Sequence, residues 1–138
     1  MSVDLTKALQ VSVAGMKAQN TRIKVIAENI ANADSTGETP GDLPYRRQTV
    51  TFKNALDREM GVETVRVSKI GVDESEFKRE YNPSHPSADA DGYVLMPNVN
   101  SLIETTDLRE AQRTYEANLS VIQNVRQMLT RTVQVLRG

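Results

Sequence analysis

The stretch LTKALQVSVAGMKAQNTRIKVIAENI, residues 5–30, decides the fold. Within it Leu5, Leu9, Ser12, Met16, Gln19, Ile23, Ile26 and Ile30 follow one another at alternating spacings of four and three, and six of these eight are apolar. That spacing holds them on one side of a helix as a heptad seam, the kind that packs on a partner helix. No proline precedes Pro40 and only Gly15 interrupts the good helix formers. The pattern predicts a helix over 5–30, about 39 Å long at 1.5 Å per residue.

The far end of the chain repeats the pattern. Leu108, Ala111, Tyr115, Asn118, Ile122, Val125, Leu129, Thr132 and Leu136 lie three or four apart, and seven of the nine are apolar or aromatic. Ser101 with Glu104 three residues on reads as a capping box, each side chain satisfying the other's free backbone N–H. A second helix is therefore expected to start after Asn100 and to run to Arg137, roughly 54 Å.

Between the seams the composition changes: all five prolines and five of the seven glycines lie from Gly37 to Pro97. Long helices are excluded there. Residues 45–52, 62–72 and 93–96 are rich in Val, Thr, Tyr and Phe and suit short strands. The expected fold is mainly α with a small β middle: two terminal helices in a coiled-coil-like antiparallel pair, forming a helical domain of residues 1–36 and 98–138, and a β-rich insertion over 37–97.

Composition narrows the function. With no Trp and two Phe, packing rests on Leu, Ile, Val and Met rather than on large rings. Zero cysteines exclude disulfides, thiolate metal sites and a Cys nucleophile. The N-terminal residues lack the basic cluster and apolar run of a secretory signal, and no stretch nears the ~18 apolar residues of a membrane span. The net charge of -1 argues against non-specific nucleic-acid binding. Its distribution is uneven: residues 5–27 and 117–138 carry bases and no acid, whereas 28–116 hold 17 acids against 10 bases.

No constellation supports catalysis or a cofactor. The single His85 sits between prolines in Asn82-Pro-Ser-His-Pro86 and reads as a solvated loop residue, since a general base needs an orienting partner and a pocket. Asp89-Ala-Asp91-Gly92 resembles part of a calcium loop, but the position of the bidentate Glu falls on Asn98; a turn into a strand at Tyr93 explains it better. Arg46-Arg47, in an acidic middle, reads as a solvated strand face rather than an RNA site. No metal ligands and no catalytic residues are assigned.

The seams carry the functional signal. Burying one seam between two helices barely offsets the ordering of so many residues, so self-association is the natural remedy. The candidate packing residues are Leu5, Leu9, Met16, Ile23, Ile26, Ile30, Leu108, Tyr115, Leu119, Ile122, Val125, Leu129 and Leu136. The remaining helix faces are rich in uncharged polar residues. Gln123, Asn124, Gln127 and Gln134 are candidates to line an aqueous channel, because a weakly charged polar wall gives a passing unfolded chain little to adhere to. The competing class is a soluble helical adaptor or export chaperone that binds partner helices.

With both helices and the Pro-Gly middle in place, the chain resembles the flagellar rod, hook and filament axial family, in particular its proximal rod subunits. The resemblance rests on Glu28-Asn-Ile-Ala-Asn-Ala-Asp34, then Thr39-Pro-Gly41 and Tyr45-Arg-Arg47, and on the long run from Tyr81 through Asn82-Pro-Ser-His-Pro86 to Asn100. Asn29, Asn32, Thr39, Pro40, Gly41 and Tyr45 form its signature loop. The resemblance implies a non-enzymatic subunit of a hollow helical rod in the periplasmic part of the basal body. Export would use the flagellar type III apparatus without a cleaved signal peptide. Implied partners are further copies, other rod proteins, and ring and adaptor proteins at the rod base, with no nucleic acid and no membrane span.

Overall fold

A computed structural model describes residues 2–138. Its elements in chain order are α1 (Ser2–Ala31), β1 (Gln48–Asp57), β2 (Val62–Val72), β3 (Lys78–Tyr81), β4 (Tyr93–Met96) and α2 (Ser101–Arg137). Two long helices frame two two-stranded antiparallel sheets, β1-β2 and β3-β4, so the expected fold class stands. At 30 and 37 residues the helices are about 45 and 56 Å long.

The cap of α2 differs from the expected box. Asn100, not Ser101, is the N-cap: its Oδ1 accepts the N–H groups of Leu102 and Ile103 at 3.1 and 3.3 Å, and its carbonyl accepts that of Glu104 at 2.9 Å. This is the usual Asn solution to the free donors of a helix start, and it leaves the Glu104 carboxylate for other partners.

The chain divides into two compact units. The first contains α1 up to Ile23, Thr51–Lys69 and Arg109–Gly138. Here the helices run antiparallel, with Gly15 facing Asn118 and Arg22 reaching Glu110 at 3.7 Å. A Cβ on Gly15 would stand 3.0 Å from Asn118 Nδ2, so the one residue that weakens the helix pattern is where the helices approach closely. Ser12, Ala18, Ala111 and Val125 are buried, and small side chains at three of these positions permit that approach. The hairpin of this unit is fastened by Ser68 Oγ donating to Thr51 O at 3.1 Å and Thr64 Oγ1 donating to Ala55 O at 3.4 Å.

The second unit contains Lys24–Val50 and Ile70–Leu108. Its core is Val25, Ile26, Val94, Pro97 and Val99. In β3-β4 the register pairs Arg79 with Leu95 and Tyr81 with Tyr93. The two tyrosine rings meet edge to face at 5.3 Å, and the Arg79 guanidinium lies 4.6 Å from the Tyr93 ring centre. β3 was not expected, because Lys-Arg-Glu-Tyr is exposed at every position and shows no alternation to read.

Candidate functional site

The most connected polar cluster lies in the second unit, where four segments distant in sequence meet. Asn29, in the last turns of α1, is 1% exposed. Its Nδ2 donates to Gln48 O and its Oδ1 accepts from Gln48 N–H, both at 2.9 Å. The same oxygen accepts the Tyr45 hydroxyl at 2.7 Å, and Nδ2 also reaches Glu104 Oε2 at 3.5 Å. Asn98, just before α2, does similar work one residue away: its Oδ1 accepts Arg47 N–H at 2.8 Å while Nδ2 donates to the carbonyls of Asp73 and Ser75. Arg47 O accepts the Asp73 N–H at 2.8 Å just beyond β2, while its own N–H goes to the Asn98 side chain, and β1 begins at Gln48 and not at Tyr45 as expected.

Charge is concentrated at the centre of this node. Glu104 is 1% exposed, and its carboxylate pairs with Arg47 Nε. Arg47 also reaches Asp73 at 3.4 Å. Burial pulls the Arg47 guanidinium down, but the bond and charge of Glu104, with Asp73 behind it, outweigh this and raise it above the ordinary value. Asp73 is held below the usual carboxylate range, first by the backbone N–H of Ser75 and then by Arg47. Burial raises the Tyr45 hydroxyl, helped by the negative charges of Glu28 and Glu104. A buried ion pair of this kind is retained only where its remaining valences are satisfied, and here Asn29 and Asp73 do so.

The signature-loop residues separate into two groups. Asn29 and Tyr45 belong to the node. Asn32 closes α1, its Nδ2 donating to Glu28 O at 2.9 Å and its Oδ1 accepting Ser35 Oγ–H at 3.0 Å. Thr39, Pro40 and Gly41 form an exposed turn in which Asp42 Oδ2 accepts both the N–H and the hydroxyl of Thr39, and Gly41 adopts φ 95°, a conformation that favours glycine.

Two readings of single residues change. His85 is not a solvated loop residue: it is half-buried, its Nδ1 accepts the Ser87 N–H at 3.0 Å, and its Nε2 lies 3.3 Å from Thr36 Oγ1. Arg46 and Arg47 do not form a solvated strand face. Arg47 is in the node, and Arg46 stacks 4.2 Å over the Phe77 ring while donating to the carbonyls of Asp73 and Ser75. Asp89 Oδ1 accepts the N–H groups of Asp91 and Tyr93, both at 2.9 Å, which is turn chemistry leading into β4. No group of three or more His, Cys, Asp or Glu among the described residues is placed to hold a metal.

Asp73 and Asn98 were not singled out in the sequence, while Arg47 was read as part of a solvated strand face and Glu104 as half of a capping box. One signal pointed to Glu104: it lies four residues before Leu108, on the register of the α2 seam, where a carboxylate requires a buried partner.

The helix faces are the other functional surface. From Leu5 to Ile30 every seam position is buried or half-buried, as is every seam position from Leu108 to Leu129. Thr132 and Leu136 are exposed, Leu136 by 82%. Gly15 faces Asn118 and Arg22 meets Glu110, so α1 and α2 run antiparallel along this stretch. Leu119, Val121, Met128, Val133 and Val135 are also exposed and flank the seam on both sides. Gln123, Asn124, Gln127 and Gln134 are exposed as well. Gln123, Gln127, Thr130 and Gln134 share an open groove along α2 with Arg126 and Arg131, so this strip is amide-rich and cationic rather than nearly neutral.

Comparison with known proteins gives a consistent result at both ends of the chain. The family described as "Flagella basal body rod protein" matches residues 9–37, and "Flagellar basal body rod FlgEFG protein C-terminal" matches residues 90–135. The flagellar basal-body rod protein FlgC of Agrobacterium fabrum (strain C58) is 51% identical over 97% of this chain and 96% of its own length. FlgC of Borreliella burgdorferi is 39% identical over 97% and 99% of the two chains, and that of Salmonella typhimurium (strain LT2) 37% identical over 94% and 96%.

Proposed function

Because this chain belongs to the FlgC family of flagellar basal-body rod proteins and is a structural subunit of the rod, we propose that it assembles helically through its two terminal helices. Residues 1–36 and 98–138 form the inner tube of a hollow drive shaft and export channel, and residues 37–97 face outward. The outer turns of both helices gain their full packing, and their order, from neighbouring copies. The subunit joins other basal-body components: other rod proteins, and the ring and adaptor proteins at the rod base. It reaches the periplasmic section of the basal body through the flagellar type III export apparatus and has no catalytic role.

The observation that carries this reading is the division of α2 beyond Arg109. The seam is sheltered against α1 as far as Leu129, apolar residues on both flanks are exposed, and a polar strip occupies the remainder. A helix free in water on three sides would not carry Leu119, Val121, Met128, Val133, Val135 and Leu136 outward. A helix packed on three sides and facing an aqueous channel on the fourth has this arrangement.

The absence of cysteine allows a direct test. Single variants Met128→Cys and Gln127→Cys are incorporated into basal bodies and treated with a small maleimide. Met128→Cys should become protected on incorporation while Gln127→Cys stays reactive. Equal protection of both would remove the channel-lining strip, and equal reactivity would remove the packing flank.

A further inference from the structure

The node holds the last turns of α1 and the first turns of α2 through one short segment. Gln48 takes Asn29 and its neighbour Arg47 takes Glu104, while Asn100 caps α2. Val25 and Ile26 are buried in the α1 turns, and the segment that leads into α2 is buried at Val94, Pro97, Asn98 and Val99. Beyond Arg109 the picture reverses: only Ala111 and Val125 of α2 are buried, and every residue from Arg131 onward is exposed.

We propose that the second unit is a preformed double helix nucleus, which keeps residues 24–31 and 101–108 helical in the free subunit so that each helix grows outward from it on docking. The physical reason is the cost of starting a helix. A first turn fixes several residues for one hydrogen bond and is disfavoured about a thousandfold, whereas each later residue adds one bond. A subunit whose terminal segments order on assembly meets that penalty twice unless both helices are already started. Asn29 and Glu104 start them together, because their partners are adjacent residues of one segment. The inference rests on the assembly reading proposed above and adds where in each helix order begins.

Hydrogen exchange on the purified full-length monomer tests it. Amides of residues 27–31 and 105–108 should exchange at least a hundredfold more slowly than those of 7–18 and 120–136. In Arg47→Ala, protection of both nuclei should fall together, although only α2 carries the ion-pair partner. Uniform protection along each helix, or nuclei exchanging as fast as the tails, would overturn the proposal, and the wild-type pattern decides this even if Arg47→Ala fails to fold. Loss of only the α2 nucleus in Arg47→Ala would overturn the coupling. A parallel Leu136→Asp variant should keep both nuclei protected while failing to enter basal bodies. Incorporation of that variant would count against the assembly reading and not against the nucleus.

Discussion

Asn29 pairs with Gln48 as one strand residue pairs with another, its side-chain amide giving and receiving a hydrogen bond at 2.9 Å with the same backbone unit. A helix side chain thus supplies the neighbour that β1 lacks at its start. The end of α1 is fixed to the sheet through atoms only an Asn or Gln amide can offer, and the shorter one fits.

Asn29→Asp should therefore destabilise the second unit. The aspartate cannot donate to Gln48 O, and it brings a second carboxylate towards Glu104. With one buried carbonyl left unpaired at about 1–3 kcal/mol, and like-charge repulsion added, the midpoint of urea unfolding should fall clearly. Asn32→Ala, at a position that only closes the helix end, should cost about 1 kcal/mol. Equal midpoints for the two variants would contradict the node.

Arg47→Ala leaves the Glu104 carboxylate buried without its cation, and such losses run at about 3–5 kcal/mol. Replacing both partners, Arg47→Met with Glu104→Leu, should recover much of that, since two apolar groups leave no uncompensated charge. A double-mutant cycle by chemical denaturation reads the coupling. Additive single effects would show that the two side chains do not act as a pair.

Acid should weaken the protein below about pH 4. Asp42, Asp73 and Asp89 are each held below the ordinary carboxylate value, chiefly by accepting N–H or hydroxyl groups of Thr39, Ser75 and Tyr93 respectively. A carboxylate whose folded value is depressed stabilises the fold above its unfolded value, about 3.9, and that contribution is lost as pH falls through the folded value. Asp73→Asn should lower stability at pH 7 and flatten this acid limb. A limb unchanged in Asp73→Asn would remove its assigned part.

His85→Ala removes the Ser87 and Thr36 contacts and should cost about 1–2 kcal/mol by thermal melting, with rod incorporation retained. The effect is local because His85 ties a loop and touches neither helix seam. Loss of incorporation at normal protein levels would contradict this.

The seams of both helices were legible because a heptad spacing depends only on which residues are apolar, and Leu5 to Ile30 and Leu108 to Leu129 face inward as that spacing requires. β2 and β4 were legible at their full extent, Val62–Val72 and Tyr93–Met96, because Val recurs along β2 and Tyr93 and Val94 open β4. What was not legible depends on partners far away in the chain. Ser101 and Glu104 have the spacing of a capping box, yet Arg47, 57 positions earlier, claims the carboxylate. His85 looks solvated until Thr36 and Ser87 are placed beside it. Local rules gave the cap and the loop; only tertiary contact decided which donor each acceptor meets.

In the proposed assembly the exposed apolar end of α2 is an interface for other copies. Leu136 is 82% exposed and contacts no core, so Leu136→Asp should leave the monomer's circular dichroism and melting unchanged. In the assembled rod the same carboxylate would be placed in an apolar contact at a cost of several kcal/mol. Quantifying this variant in purified basal bodies beside wild type is the most direct measurement. The monomer should be unaltered and incorporation reduced at least tenfold; incorporation at the wild-type level would rule this interface out.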